Sequence, residues 1–170
     1  MKEEYSVVHL LAPAPSESML VADDVFYVSF LNHVAIDSEN EATKQRLVTE
    51  VKDLTQLFAS FTMKMIGLEM SDSYQRQPVM VFEQAQAHKL HVELLMLAMW
   101  SGLPLTDLNN VGSGFRPLIL FPGRTSPIDE VNIDGLSIVK HHQGFGENFM
   151  EVIATFGMST FDEMTKGIFS

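Results

Sequence analysis

Two histidines, His88 and His91, have the spacing that most directly suggests chemistry. They lie in a segment rich in helix-forming residues, and residues three apart on an α-helix share one face with their Cβ atoms about 5–6 Å apart. Imidazoles at that separation can share a transition metal, although a metal centre needs one or two more donors. The donors available for this role are His141, His142, Glu83 and Glu93. The sequence favours the alternative that the histidines are structural, because polar groups on a half-buried helix are usually satisfied by backbone or water.

A second candidate site is an anion-binding loop in the glycine-rich stretch 112–146. This stretch combines glycines, which let a backbone approach a phosphate, with basic side chains in an otherwise acidic protein. The candidate ligand-binding residues are Gly112, Gly114, Arg116, Arg124, Lys140, Gly144 and Gly146. Neither glycine pair belongs to a Gly-x-Gly-x-x-Gly fingerprint or a P-loop, so the pattern favours ordinary turns over a phosphate site.

The residue inventory excludes several enzyme classes. The chain has no cysteine, which excludes cysteine nucleophiles, thiolate metal sites and disulfides. It also lacks Gly-x-Ser-x-Gly, the nucleophile elbow of the α/β-hydrolases. No motif identifies a cofactor or a catalytic residue, and the sequence favours a protein that is not an enzyme.

The charge balance restricts the partners that we expect. There are 22 Asp and Glu residues against 11 Lys and Arg, which gives a formal net charge of −11 and a pI near 4.8. Such a surface repels both a phosphate backbone and an anionic membrane. We therefore predict a protein partner or self-association, and we expect neither nucleic acid nor membrane as a partner.

The clearest predicted helix begins at the capping box Ser38-x-x-Glu41 and extends to about Gly67. From Leu47 to Leu68 its apolar residues recur every 3.5 residues, which is the spacing of a helix-packing seam. The seam predicts contact either with the rest of the chain, which we favour, or with a second copy. The candidate interface residues are Leu47, Val51, Leu54, Phe58, Phe61, Met63 and Met65. Met63 falls opposite the seam, so we expect it to be exposed unless a second surface covers that side.

A second helix is predicted over residues 80–101. The segment from Leu90 to Trp100 is apolar on all sides, which predicts a helix buried on most of its surface. Gly102 and Pro104 end it, because glycine weakens a helix and proline cannot continue one.

Strands are predicted towards both ends of the chain. Residues 102–146 hold seven of the ten glycines and four of the seven prolines, which predicts short strands and turns rather than helices. The predicted strands are Tyr5–Leu11, Met19–Val21, Val25–Phe30 and Arg116–Phe121. The pair Asp134-Gly135 is typical of a type I′ turn, so we predict a β-hairpin that joins Val131–Ile133 to Leu136–Ile138.

A pair of short helices is predicted at the C-terminus. The first covers Glu147–Phe156, with Gly157 after its last turn, and the second covers Ser159–Lys166 and opens on a capping signature. The pair has the outline of a helix-turn-helix, but its second helix carries two acidic residues and one basic residue. We therefore do not expect it to bind DNA.

The predicted architecture is an α+β fold. A small, mainly antiparallel sheet packs against two central helices, about residues 38–67 and 80–101, and against the C-terminal helix pair. A chain of 170 residues is the usual size of one unit, so residues 1–170 are expected to form a single domain.

The predicted function is an acidic, soluble protein-binding module of the adaptor, chaperone-like or inhibitor/immunity type. Its helices would meet a basic partner or a second copy. A cytoplasmic location is expected, because the N-terminus carries acidic residues where a signal peptide is basic and the longest apolar stretch is short. The alternative is a small enzyme or sensor that binds a metal or an anionic ligand near His88, His91, His141 and the loops of residues 112–146.

Overall fold

A computed structural model describes residues 1–11, 20–22, 27–71, 77–83, 85–120, 128–144 and 147–159. Over these residues the fold is α+β, as predicted, with two helices and nine strands. The helices are α1 (Glu41–Gln56) and α2 (Ala85–Trp100). The strands are β1 (Lys2–Leu10), β2 (Leu20–Ala22), β3 (Tyr27–Asp37), β4 (Phe61–Ser71), β5 (Gln77–Phe82), β6 (Leu118–Leu120), β7 (Glu130–Ile133), β8 (Gly135–Gly144) and β9 (Glu147–Gly157).

The strands form two antiparallel sheets rather than one. The first sheet has the order β2-β9-β8-β1-β3, so it combines strands from both ends of the described chain. The second has the order β6-β5-β4-β7 and comes from the middle. The expectation of an antiparallel sheet assembled from N-terminal and C-terminal strands is confirmed for the first sheet, and the second sheet is additional.

One apolar core joins both sheets and both helices. Leu47 of α1 and Leu90 of α2 are buried in it, together with Phe30 of the first sheet and Phe82 of the second. Helix α1 packs against β8 and β9, and α2 packs against β3. Burial of apolar surface in this core is therefore what holds the two sheets together.

The first sheet has a second face, which points away from that core. Successive side chains of a strand point to opposite faces, so Tyr5 and Val7 of β1 lie in the main core while Glu4, Ser6 and Val8 lie on the second face. This second face has its own apolar cluster, formed by Val8, Leu10, Val139, Met150 and Val152. Polar side chains lie beside that cluster, and they form the candidate site described below.

The first predicted helix is wrong at its C-terminal end. It begins as predicted within a few residues, with the Asn40 side chain accepting a hydrogen bond from the Thr43 N–H at 3.1 Å, but it ends at Gln56. Residues from Phe61 onwards form β4. Apolar residues at 61, 63 and 65 fit both the 3.5-residue repeat and strand alternation, and Met63, at 1% exposure, points into the core because the segment is a strand.

The side chains of the predicted interface pack within this chain. Leu47 and Val51 are buried in the main core, and Met63 is buried with them. The remaining members, Leu54, Phe58, Phe61 and Met65, are partly buried against the same core. Contact with the rest of the chain, the alternative that the sequence favoured, is therefore what the structure shows for these residues.

The second predicted helix begins five residues later than predicted, at Ala85. Residues 80–82 belong instead to β5, where Val79, Met80, Val81 and Phe82 are all buried. A strand that is buried on both faces has no alternation of apolar and polar residues, so its sequence resembles that of a buried helix.

The predicted hairpin at Asp134-Gly135 is wrong. Strand β7 pairs with β4 of the second sheet, whereas β8 pairs with β1 and β9 of the first, so the chain crosses between the sheets at Asp134. Gly135 is required by close packing rather than by a turn: a Cβ there would lie 2.7 Å from the Phe156 carbonyl oxygen.

The first helix of the predicted C-terminal pair is also wrong, because Glu147–Gly157 is strand β9. Met150, Val152 and Ala154 alternate as buried residues, but Phe149 and Ile153 on the other face are apolar too, which hides the two-residue period. Of the second helix, residues 160–166 lie outside the described residues. The predicted strand Arg116–Phe121 is found in a shorter form as β6, and Met19–Val21 overlaps β2.

Candidate functional site

Two histidine rings stack on the second face of the first sheet. His33 of β3 and His141 of β8 have ring centroids 4.0 Å apart and an interplanar angle of 17°. Strand β1 lies between β3 and β8 in the sheet, and its residue Glu4 is directly paired with His141. The sheet therefore brings together two imidazoles that are far apart in the sequence.

Ser6 holds one edge of the His141 ring. The backbone N–H of His33 donates to Ser6 Oγ at 2.9 Å, and Ser6 Oγ lies 2.7 Å from His141 Nε2. We assign the Ser6 hydroxyl as the donor in that second contact. A neutral His141 ring that accepts at Nε2 carries its proton on Nδ1. Burial, helped by the neighbouring His33 ring, lowers the pKa of His141 to about 4. At neutral pH the ring is therefore uncharged and presents Nδ1–H as a donor.

The proton of the His33 ring is placed by Glu4. Glu4 Oε2 lies 3.2 Å from His33 Nδ1, and Glu4 Oε1 accepts a hydrogen bond from Thr106 Oγ1 at 2.7 Å. The hydrogen bond from Thr106 is the largest influence on the pKa of Glu4, which lies below its usual value, with burial opposing the shift and His33 adding to it. An ionised carboxylate requires Nδ1–H as its partner, so the Nε2 atom of a neutral His33 is an acceptor.

His33 has an unusual backbone conformation that aims its ring. Its φ of 45° lies in the left-handed region, which costs energy for any residue with a side chain. It lies in a β-bulge: Tyr5 pairs with Val34 and Val7 pairs with Leu31, so β3 has one residue more than β1 here. Bulges re-aim side chains and are common beside active sites. The strained backbone therefore belongs to the arrangement that sets His33 against His141.

The pair offers two nitrogens of opposite character. Among the described residues no hydrogen bond uses Nε2 of His33 or Nδ1 of His141. With these assignments, one ring has an acceptor nitrogen and the other has a donor nitrogen that no described residue uses. The acceptor nitrogen of an imidazole is the kind of group that acts as a general base.

The structure gives His91 a structural role. Its Nδ1 lies 2.7 Å from the Phe30 carbonyl oxygen, and its Nε2 accepts the Gly112 N–H at 2.9 Å. Burial lowers the pKa of His91, and its ring stacks on Phe115 at 4.1 Å. Both nitrogens are already in hydrogen bonds to the backbone, so neither is available to a metal. The Nδ1 atom of His88 is buried without a protein partner.

The other donors considered for a metal are not gathered around these histidines. His142 lies on the face of β8 opposite to His141, where its Nε2 lies 2.9 Å from Glu151 Oε1 and its ring stacks on Phe149. Glu83 accepts the Lys64 N–H at 3.3 Å, and Glu93 is exposed on α2. Across the described segments no group of three His, Cys, Asp or Glu side chains is placed to hold a metal ion.

The predicted anion-binding residues are spread over several elements. Gly112 and Gly114 form a short 3-10 turn after α2, and the Gly112 N–H is taken by His91. The two basic side chains that are described already have acidic partners: Arg116 Nη1 lies 2.7 Å from Glu69 Oε2, and Lys140 pairs closely with Glu3. Gly144 is the last residue of β8. Arg124 and Gly146 lie outside the described residues.

The fold is similar to that of several solved structures. E. coli LigT complexed with 3'-AMP has a TM-score of 0.63 and 13% sequence identity, over 94% of this chain and 100% of that chain. A structure described as a phosphoesterase has a TM-score of 0.61 and 12% identity, over 94% and 100%. TT0787 of Thermus thermophilus has a TM-score of 0.59 and 14% identity, over 93% and 99%. No protein-family model and no curated protein matches the sequence.

These similarities contradict the predicted function and partners. The predicted function is wrong: the solved structures that share this fold are described as a phosphoesterase and as LigT with nucleotides bound, not as a protein-binding adaptor, chaperone-like or inhibitor module. The expected protein partner or second copy lacks support, and the expectation that excluded nucleic acid conflicts with the nucleotide ligands of LigT. No helix in the described part of the chain is long and apolar enough to cross a membrane.

Proposed function

We propose that this protein is a small enzyme that hydrolyses a phosphoester of a nucleotide, with His33 and His141 as its catalytic residues. The observation that carries the proposal is the stacking of the two rings, with centroids 4.0 Å apart, while each ring has one nitrogen in a hydrogen bond and one without a partner among the described residues. The proposal keeps the alternative that the sequence offers, a small enzyme with a ligand near His141. It replaces His88, His91 and the loops of residues 112–146 by His33 as the second residue of the site. A nucleotide substrate agrees with the cytoplasmic location expected from the sequence.

His33 acts as the general base. Its Nε2 takes a proton from an attacking water, and the Glu4 carboxylate at Nδ1 stabilises the imidazolium that forms. The water oxygen forms a bond to phosphorus while the bond from phosphorus to the leaving oxygen breaks. The leaving oxygen, on the opposite side of phosphorus, takes a proton from solvent, and the His33 imidazolium returns its proton to solvent, so the reaction consumes one water and restores His33.

His141 acts as a neutral hydrogen-bond donor. Because its pKa is lowered to about 4, the ring stays uncharged at neutral pH and its Nδ1–H can donate to a phosphoryl oxygen. Charge builds on that oxygen in the transition state, so a fixed donor there lowers the barrier. Ser6, at 2% exposure and hydrogen-bonded to His141, is too buried to attack a substrate and serves to orient the ring.

The comparisons support the substrate class. The similar LigT structures hold 3'-AMP, NADP+, ATP or phosphate, all of which carry a phosphoryl group. A phosphoester is an anion, and a carboxylate in the place of either ring would repel it because like charges repel. A neutral donor and a neutral base do not. We therefore place the phosphoryl group of the substrate over the stacked rings.

The test is hydrolysis of bis(p-nitrophenyl) phosphate and of a dinucleoside monophosphate by the wild type, His33→Ala and His141→Ala. Loss of a positioned base or donor lowers kcat/KM by about 10²–10⁴-fold. The matched control is His142→Ala, which removes a histidine from the next position of the same strand but from its opposite face, and it should keep most of the activity.

Two outcomes would contradict the proposal. The first is a wild type that hydrolyses neither substrate faster than buffer, even if it binds 3'-AMP in calorimetry, since that result describes a nucleotide sensor. The second is full activity in His33→Ala or His141→Ala with circular dichroism unchanged. Either result would remove the histidine pair from the role of catalyst.

A further inference from the structure

The segment after α2 extends the edge of the first sheet at His33. Strand β3 is the terminal strand of that sheet, and residues 104–106 run beside it. The Ala35 N–H donates to the Pro104 carbonyl at 3.0 Å, Val34 forms a bridge with Leu105, and the Thr106 N–H donates to the His33 carbonyl at 2.8 Å. This segment therefore helps to hold His33 in its left-handed conformation.

The same segment reaches the Glu4 carboxylate through one side chain. Thr106 Oγ1 lies 2.7 Å from Glu4 Oε1 and 3.0 Å from the His33 carbonyl oxygen. Glu4 in turn lies against His33 Nδ1 through its other oxygen. A continuous chain of polar contacts thus runs from the α2–β6 connection through a carboxylate to the proposed general base.

We infer that Thr106 is a positioning residue for the proposed reaction: its hydroxyl fixes the Glu4 carboxylate against His33 Nδ1 and so determines which nitrogen of His33 carries the proton. Thr106 acts through Glu4 and does not contact the substrate. The inference rests on the proposed function for its catalytic consequence, but the proton placement that it describes is a property of the protein alone.

The charged and titratable groups around Glu4 support this role. Glu4 faces His33 from β3 and His141 from β8; His33 lowers the pKa of Glu4 through its hydrogen bond, His141 does so only when protonated, and the hydrogen bond from Thr106 is the largest influence. Without the hydroxyl, Oε1 loses its partner, the carboxylate is freer to rotate, and its pKa rises. His33 then exchanges more readily between its two neutral tautomers, and the form with a free Nε2 is less populated.

The test compares Thr106→Val, which keeps the shape of the side chain without its hydroxyl, with Thr106→Ser, which keeps the hydroxyl. We expect Thr106→Val to lower kcat about tenfold with KM unchanged and to move the acid limb of the pH profile, because a hydrogen bond to a charged group is lost. Thr106→Ser should recover most of the activity. The control is Thr62→Val, which removes another exposed hydroxyl whose partner, Asn132, lies on β7 of the second sheet, whereas the site lies on the first sheet.

Nitrogen-15 NMR of the His33 ring separates this inference from the proposed function. In the wild type we expect the shifts of a ring protonated at Nδ1, and in Thr106→Val the shifts of a mixture of tautomers. Unchanged His33 shifts in Thr106→Val overturn the inference even if the wild type is an active hydrolase. Altered shifts in Thr106→Val, together with a wild type that lacks hydrolase activity, retain the positioning contact and reject the proposed function. Failure of Thr106→Ser to restore the His33 shifts also overturns the inference. The change in the shifts then comes from altered packing and not from the lost hydroxyl.

Discussion

The molecule contains two histidine pairs that differ in what their hydrogen bonds leave free. His88 and His91 share one helix, and His91 has both ring nitrogens in bonds to the backbone of Phe30 and Gly112. His33 and His141 come from different strands, and each has one nitrogen held and one left over. The three-residue spacing on a helix brings His88 and His91 close together. Which pair has a nitrogen free to react depends instead on the hydrogen-bond partners around each ring.

The difference has a physical basis in the partners themselves. A backbone N–H and a backbone C=O each have fixed character, so together they lock His91 as a neutral ring with no free position. The partners of the stacked rings are the side chains of Glu4 and Ser6, each of which holds one nitrogen of one ring and leaves the other nitrogen without a partner among the described residues. His91 therefore has no ring nitrogen left for a reaction, whereas His33 and His141 each keep one.

The largest expected effect is the loss of stability in His91→Ala. The substitution opens a cavity and leaves the Phe30 carbonyl and the Gly112 N–H without their partner, which costs about 3–5 kcal/mol in the free energy of unfolding. Urea denaturation measures this loss. His88→Ala should cost much less, since the buried Nδ1 of His88 has no hydrogen bond to lose. Equal losses of unfolding free energy in His91→Ala and His88→Ala would show that the two hydrogen bonds of His91 do not stabilise the fold.

The next effect is the pH dependence that His141 confers on stability. Its pKa is lowered from 6.5 to about 4 in the folded protein, so the unfolded chain binds a proton first as the pH falls. The contribution is fully present above pH 6.5 and declines from there to about pH 4, by up to about 3 kcal/mol. In His141→Gln the free energy of unfolding should change less with pH over this range. A smaller slope of the same sign remains, because the buried His91 contributes it. Urea titrations at half-unit pH steps would measure it, and identical slopes in both proteins would contradict the burial of His141.

Ser6→Ala should show whether Ser6 orients the His141 ring or only packs beside it. It removes the donor to His141 Nε2 and the acceptor of the His33 N–H, which costs about 1–2 kcal/mol of stability. Activity should fall about tenfold as well, because the His141 ring loses its fixed tautomer. The matched control is Ser137→Ala on the same face, where a buried serine bonds to Thr155 at 3.0 Å. Its stability loss should be similar and its activity unchanged; equal activity losses in both would show that Ser6 acts only by packing.

The smallest effect concerns the strained backbone of His33. Both His33→Gly and His33→Ala remove the ring, but only glycine adopts a φ of 45° without steric cost. We expect His33→Gly to be more stable than His33→Ala by about 1 kcal/mol, measured by thermal unfolding, while both lack activity. An alanine variant as stable as the glycine variant would show that the bulge relaxes when the ring is removed.

The sequence predicted elements with local signals and missed those that depend on pairing. The polar residues before Glu41 marked the start of α1, and Gly102 marked the end of α2. The sequence predicts helix for the start of β4 because residues 61–65 fit both periods equally well, and only pairing with β5 and β7 selects the strand. The class of fold therefore followed from the sequence, whereas the division into two sheets did not.

The candidate site was predicted only in part. His141 was named as a possible ligand, but His33, Ser6, Glu4 and Thr106 were not, because their contacts arise from a bulge and from strands that are distant in sequence. One weak signal was present: Asn32-His33 places two residue types that tolerate a left-handed backbone inside an apolar strand. Such a pair indicates an irregular strand, and irregular strands are common at sites.

The crossing at Asp134 also sets an order of assembly. As the chain leaves the ribosome, β1 and β3 appear first and the whole second sheet follows, but β8, which joins β1, is made only after residue 134. Until then β1 has an unpaired edge, which is a site for wrong association. The first sheet thus depends on contacts of high sequence separation, which form slowly. His33 can meet His141 only after that strand has been made, so the proposed catalytic pair requires the chain to be synthesised at least as far as residue 141.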